Sequence, residues 1–279
     1  MDQIVKGRQP QREIQAVVAA IIALMVAFAP LARTPTWEFA ASFLGSKLAL
    51  EAGADLLGAA IVAGLVGAAA LVGPLSSESW GLQALLELAA HWALPMIWAV
   101  AMWEVAPNLR ASLVRAAFAI AGGVGLGLLM RVSEHRRRAA HHQPSDLFED
   151  LATYVALLAL LTMLHAAHLR SAISATSAAV LGSLSALGLL YPFGATPWRT
   201  LGASLATGML LGQFMWALNY CTATSATAGG LLLLSFYAMI GILRHALRDR
   251  LRPRHVIEYL LVCGLGLTLI LMRARLWGP

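Results

Sequence analysis

The chain has 279 residues, of which 59% are apolar and only 12% charged. A soluble domain carries roughly a quarter of its residues as Asp, Glu, Lys and Arg, so this composition excludes a globule covered by water and suits a surface facing lipid. The net charge of +6 does not point to nucleic acid, because the basic residues stand at the ends of apolar runs rather than in one patch. Anionic lipid headgroups are the expected counter-charge, and other membrane proteins are the remaining class of partner.

Taken in chain order, Lys6, Arg8 and Arg12 precede a first apolar run, Gln15 to Ala32. A basic start before an apolar middle also describes a secretory signal peptide. Further apolar runs follow throughout the chain, which favours a retained first helix. A bilayer core of about 30 Å takes around 20 apolar residues per helix. The other predicted spans are Ala49–Gly73, Gly81–Trp103, Leu113–Met130, Leu151–His168, Ile173–Tyr191, Leu201–Tyr220, Gly229–Leu247 and Val256–Met272. Thr36 to Lys47 is too short to cross, and Phe39 and Phe43, four apart, predict a helix lying along the interface. Gly73-Pro74, Pro107-Asn108, Tyr191-Pro192, Thr196-Pro197 and Arg252-Pro253 punctuate the spans.

The expected fold is therefore all-α, a polytopic bundle of about nine spans. It forms one integral membrane domain over residues 1–279, with helix spacing that hints at a 4+4+1 organisation. Counting from an amino terminus on the cytoplasmic side, the inner segments hold thirteen basic residues and the outer segments seven. That bias obeys the positive-inside rule and puts the carboxyl terminus outside. Eighteen of the twenty basic residues are arginine and alanine is abundant, a bias common in GC-rich bacterial genomes, so a bacterial inner membrane is the expected location.

Helices in lipid associate through close packing and polar contacts, which favours small residues four apart. Such rows are Ala60/Gly64/Ala68, Ala119/Gly123/Gly127, Ser174/Ala178/Gly182/Ala186 and Ser204/Gly208/Gly212. Packing within the chain is the expected use of each. Cys221 and Cys263 fall at different depths, too far apart for a disulfide, and are expected as free thiols.

Ionisable groups at bilayer depth cost about 2.5–3.5 kcal/mol on insertion scales, and they often mark function. Glu87 and His91 lie four apart on one helical face, and Pro95 removes the hydrogen bond that residue 95 would give to the His91 carbonyl. Such a stripe suits proton relay, cation coordination or a polar ligand. It suits equally a self-satisfied pair that fixes helix register. Asp55 and Gln213 complete a candidate intramembrane polar site. Glu51, Asn219 and Tyr220 form a candidate outer mouth, with interhelical hydrogen bonding and a nearby arginine as the plainer uses of these groups.

His165 and His168 are three apart beside Arg170, but no Cys or carboxylate stands at matching spacing, and no metal is expected. His135, His141, His142, Asp146, Glu149 and Asp150 are expected in a solvated loop. There is no G-x-x-x-x-G-K-[ST] loop, and Gly122-Gly123-Val124-Gly125 lies inside an apolar span where it cannot cradle phosphate. No catalytic residue and no cofactor is assigned.

Two stretches carry a family resemblance. One is Asp150 to Thr176, DLATYVALLALLTMLHAAHLRSAISAT; the other is Gly229 to Val262, with ALNY a little upstream. Over about a third of the chain they resemble a family of uncharacterised multi-span bacterial proteins, classed as a domain of unknown function. The resemblance implies no activity and transfers no functional residue. The leading functional expectation is a non-enzymatic structural or accessory membrane component; the alternative is a small-solute or proton-coupled carrier built on Glu87 and His91.

Overall fold

The structure is a computed structural model that describes residues 9–28, 37–43, 46–52, 54–71, 82–138, 147–193, 196–248 and 252–277. These residues are helical apart from one antiparallel strand pair and short turns. The elements are α1 (Gln9–Phe28), β1 (Trp37–Phe43), β2 (Ser46–Ala52), α2 (Ala54–Leu71), α3 (Leu82–Val105), α4 (Ser112–Arg138), α5 (Leu147–Ala166), α6 (Ser171–Leu190), α7 (Pro197–Leu218), α8 (Ser225–Leu247) and α9 (Pro253–Trp277). Short 3₁₀ turns at Ala106–Asn108 and Tyr191–Phe193 follow α3 and α6.

Six of these helices, α3 to α8, are long and apolar enough to cross a membrane; Glu13–Phe28, Gly58–Ala69 and Val256–Ile270 are shorter apolar stretches. The chain is thus a helical protein with the features of a membrane protein. Each long apolar run forms a helix because every backbone polar group must be satisfied inside the segment when no water is at hand.

One expectation is corrected. Of the segment from Thr36 to Lys47, the described residues are strand rather than an interfacial helix, and Ala49 does not open the second span. Instead β1 and β2 pair antiparallel, with Phe39 opposite Leu50 and Glu38 opposite Glu51, and α2 begins only at Ala54. The reason lies in the periodicity. Residues four apart share a face in a helix and equally in a strand, so Phe39 and Phe43 did not discriminate.

The chain divides into two compact units. The first takes residues 1–76 and 98–132. In it α1 presents Ala19, Ile22 and Val26 and α2 presents Val62, Val66 and Ala69 as buried rows, the i, i+3, i+7 and i, i+4, i+7 spacing of an inward helical face. Ala23 and Ala19 of α1 lie against Gly123 of α4, which closes that small-residue row. Trp98 Nε1 donates to the Gly122 carbonyl at 3.0 Å, tying α3 to α4. The row Ala60/Gly64/Ala68 departs from expectation: it stays exposed, and among the described residues nothing outside its own helix lies within 4 Å of where a Gly64 Cβ would stand.

The second unit takes residues 77–97 and 133–279. In it α6 packs closely against α7. A Cβ at Gly182 would stand 3.2 Å from the Gly208 Cα, and one at Gly212 would stand 2.7 Å from the Ala175 carbonyl. Two backbones approach because both rows are small. Around them Leu157, Leu161, Phe236, Ile240, Leu211 and Met215 form the core. Helix α9 lies at the edge, with Leu260, Leu261 and Leu265 each at least 60% exposed.

Candidate functional site

The residues singled out from sequence sit in several places. Glu87 and His91 are on α3 in the second unit, both half-buried. The His91 Nδ1–H donates to the main-chain carbonyl of Glu87 at 2.6 Å, and its ring stands edge-on to Tyr191 at 6.1 Å. The imidazole is therefore held by its own helix and by the end of α6. Pro95 is accommodated inside α3, which runs unbroken to Val105.

Asn219 and Tyr220 belong to the same unit but lie at the other end of α6. Asn219 Nδ2 donates to Ser174 Oγ at 2.6 Å, and Trp216 Nε1 donates to the Tyr220 hydroxyl at 3.3 Å. Ser174 and Tyr191 are separated by nearly the whole of α6, about 25 Å at 1.5 Å per residue. Gln213 is on the exposed side of α7. Asp55 is the second residue of α2 and Glu51 lies in β2; they belong to two different elements of the first unit. Their side chains fall outside the described ones.

His165 is buried, with Nδ1 3.4 Å from Ser225 Oγ, and its ring is 6.2 Å from that of His168. Cys221 and Cys263 are free thiols. Among the described residues no three His, Cys, Asp or Glu side chains gather where they could hold a metal ion.

A dense polar constellation among the described residues was not anticipated. Glu149 and Asp150 are not in a solvated loop but in the first turn of α5, where an acidic side chain meets the positive end of the helix dipole. His141, His142 and Asp146 lie outside the described residues, as does the His135 side chain. Arg244 occupies the last turn of α8, the complementary end. Its two terminal nitrogens grip the Asp150 carboxylate at 2.6 and 2.7 Å. The two side chains are only 16% and 17% exposed. Arg244 and Arg248, one turn apart, both stack over Phe193, at 4.9 and 4.3 Å from the ring centre.

Aromatic contacts extend the cluster across three helices. Tyr154, one turn beyond Asp150, meets Tyr237 at 5.8 Å, and Tyr237 meets Tyr259 of α9 at 5.6 Å. A Cβ at Gly241 would enter the Tyr259 ring, so α9 can lean on α8 only where α8 has no side chain. Glu149 is 1% exposed and accepts a hydrogen bond from Ser133 Oγ at 3.5 Å, while Thr153 Oγ1 donates to its carbonyl at 2.7 Å.

Chemically, this arrangement is a clasp. One bidentate ion pair, two guanidinium–ring stacks and a run of tyrosines join α5, α8, α9 and the turn after α6. One sequence signal pointed to half of it. Glu149-Asp150 directly precedes the apolar run from Leu151, which is the usual acidic first turn of a helix. Nothing local marked Arg244 as the partner, 94 residues away.

No curated protein and no solved structure matches the chain. A match to a sequence family covers residues 34–273, nearly the whole chain, and so contains the clasp, the α6–α7 pair and every candidate site residue named above. The chain belongs to the DUF5656 family, described as proteins of unknown function.

Proposed function

We propose that this chain is a non-enzymatic structural or accessory component of a bacterial inner membrane, crossing it nine times with the amino terminus inside and the carboxyl terminus outside. One observation carries the reading. Several polar groups of the second unit are engaged in bonds between or within helices rather than gathered around a ligand. Asp150 grips Arg244, His91 bonds the preceding turn of its own helix, and Asn219 bonds Ser174 far along α6. A carrier needs such groups to converge on one cavity near the midplane. The thirteen-to-seven distribution of basic residues supports the orientation, and anionic headgroups are the matching lipid partners.

The test is native electrophoresis of gently solubilised host membranes. The chain should migrate in an assembly larger than its own 29.6 kDa and bound detergent. Recovery of free monomer alone overturns the reading. So does a reconstituted proton or solute flux that disappears in Glu87→Gln or His91→Ala.

A further inference from the structure

Helices α1 and α4 run antiparallel within the first unit and touch through small residues. A Cβ at Gly123 would stand 2.7 Å from the Ala23 Cβ, and one at Gly127 would stand 3.8 Å from the Ala19 Cβ. Small side chains let the two backbones come close and leave room beside the contact. That room is a groove of about 600 Å³, within the range of about 300–1,000 Å³ usual for a bound small molecule. Buried Ala19 and Gly123 form its floor, and exposed Ala20 and Leu24 of α1 face Ile120 and Val124 of α4 along its walls. Apart from Arg131, every lining residue is apolar. Both walls belong to one compact unit, so the shape of the groove is a property of that unit alone.

Two observations say what the groove receives. The first is its length. On α4 the lining runs from Ala116 to Arg131, about 22 Å at 1.5 Å per residue. The hydrocarbon of one leaflet is about 15 Å deep, so a single acyl chain fits from its headgroup to its terminal methyl. The second is charge. Arg131 closes one end of the lining, and among the described residues no carboxylate pairs with it. The ends of α1 and α4 that meet there carry Arg12 on one helix and Arg136, Arg137 and Arg138 on the other, against Glu13 and Glu134. An apolar helix laid in the groove would leave this cationic end without an anion. A phospholipid brings the apolar chain and the anion together.

We infer that the α1–α4 groove is a binding site for an anionic phospholipid, with one acyl chain lying between the helices and the headgroup phosphate on Arg131. The inference rests on the membrane reading above and names the lipid class and its place. Lipid tails are as apolar as the groove walls, so the chain gains little over bulk lipid and the headgroup decides which lipid is held. A guanidinium presents a rigid fork of donors that matches two phosphate oxygens. Phosphatidylcholine offers the same phosphate but adds a trimethylammonium, which a cationic groove end repels. Phosphatidylglycerol adds no cation. On the topology proposed above, the Arg131 end faces the cytoplasm, the side on which basic residues accumulate.

The experiment uses the purified full-length chain in phosphatidylcholine vesicles doped with a photoreactive lipid. The probe carries a diazirine midway along one acyl chain, on either a phosphatidylglycerol or a phosphatidylcholine headgroup. After illumination, peptide mass spectrometry locates the adducts. With the phosphatidylglycerol probe they should concentrate between Ala16 and Ala27 and between Ala116 and Leu128, well above exposed Val180 of α6 and Leu261 of α9. Groove labelling should exceed that by the phosphatidylcholine probe about fivefold, the worth of one arginine near an anionic surface. Arg131→Gln should erase this preference, and Arg131→Lys should keep it within about twofold. Ala20→Phe, at an exposed position, should fill the groove and lower labelling by both probes. Adducts spread equally over α6 and α9, equal labelling by the two probes, or a preference unchanged in Arg131→Gln each overturns the inference. So does an unlabelled groove, which would show that another part of the chain or a second copy fills it. If the lipid site fails while native membranes still hold the chain in a larger assembly, the accessory reading stands. If the groove labels as expected while native membranes hold only free chain, the accessory reading fails and the lipid site stands.

Discussion

Breaking the Asp150–Arg244 pair tests whether the clasp is a stabilising element. Its oxygens and nitrogens sit at 2.6 and 2.7 Å in bidentate geometry, and both side chains are more than four-fifths buried. Removing one partner of a buried pair costs about 3–5 kcal/mol, because the other charge is left without water. Here each orphan keeps some support. Asp150 stays in the first turn of α5 and Arg244 in the last turn of α8, each worth about 0.3–1 kcal/mol with the helix dipole. The net loss for Asp150→Asn or Arg244→Met is therefore about 2–4 kcal/mol. The double variant leaves no orphan and should cost less than the two single losses together by at least about 1.5 kcal/mol. Unfolding in mixed detergent–lipid micelles, followed by far-ultraviolet circular dichroism, measures all four corners of this cycle. A coupling energy within about 0.5 kcal/mol of zero would equate the pair with an exposed surface ion pair and refute the clasp.

Three other outcomes follow from local geometry. At Gly208 a Cβ would fall against the Ala179 carbonyl and Ser183, so Gly208→Val should cost about 1–3 kcal/mol; Gly64→Ala, in open space, should be neutral or gain up to about 1 kcal/mol. Equal melting temperatures for the two would count against the α6–α7 packing. His168 holds φ at 45° just after α5, a left-handed conformation that costs a residue with a Cβ about 1–2 kcal/mol. His168→Gly should raise the melting temperature, and a fall would show that the imidazole contributes more than the backbone relief. For the nine-span topology, cysteines at Leu169 and Thr222, in a Cys221→Ser background, should both react with an impermeant thiol reagent outside the cell. One at Thr196 should react only after permeabilisation. Labelling of Leu169 and Thr222 from opposite sides would exclude the proposed span count.

The legible and the illegible parts of this molecule differ in range. Helices α5 to α8 lie within a few residues of the runs read from hydropathy, because twenty apolar residues satisfy the helix criterion without reference to anything else in the chain. The rows Ala119/Gly123, Ala178/Gly182 and Gly208/Gly212 were legible as close-packing faces for the same local reason, and each is buried. Ala60/Gly64/Ala68 has the same local pattern and is exposed, so a small-residue row shows that a helix can approach, not that one does. The strand pair Trp37–Phe43 and Ser46–Ala52 was missed where one spacing fits two periods. Glu87 and His91 drew attention by their depth, yet the bond that holds the imidazole goes to the backbone of its own helix.

Sequence alone determined that this chain is a set of apolar helices suited to a bilayer and where most of them begin and end, since those properties depend on neighbours a few residues apart. Tertiary structure decided which helix lies against which. It brought Asp150 to Arg244 across 94 residues, set Gly208 under α6, and left Gln213 on an exposed side of the same helix. The physical reason is that a helical face is defined by a local period, whereas its partner is chosen by shape and charge complementarity among all the faces the chain presents.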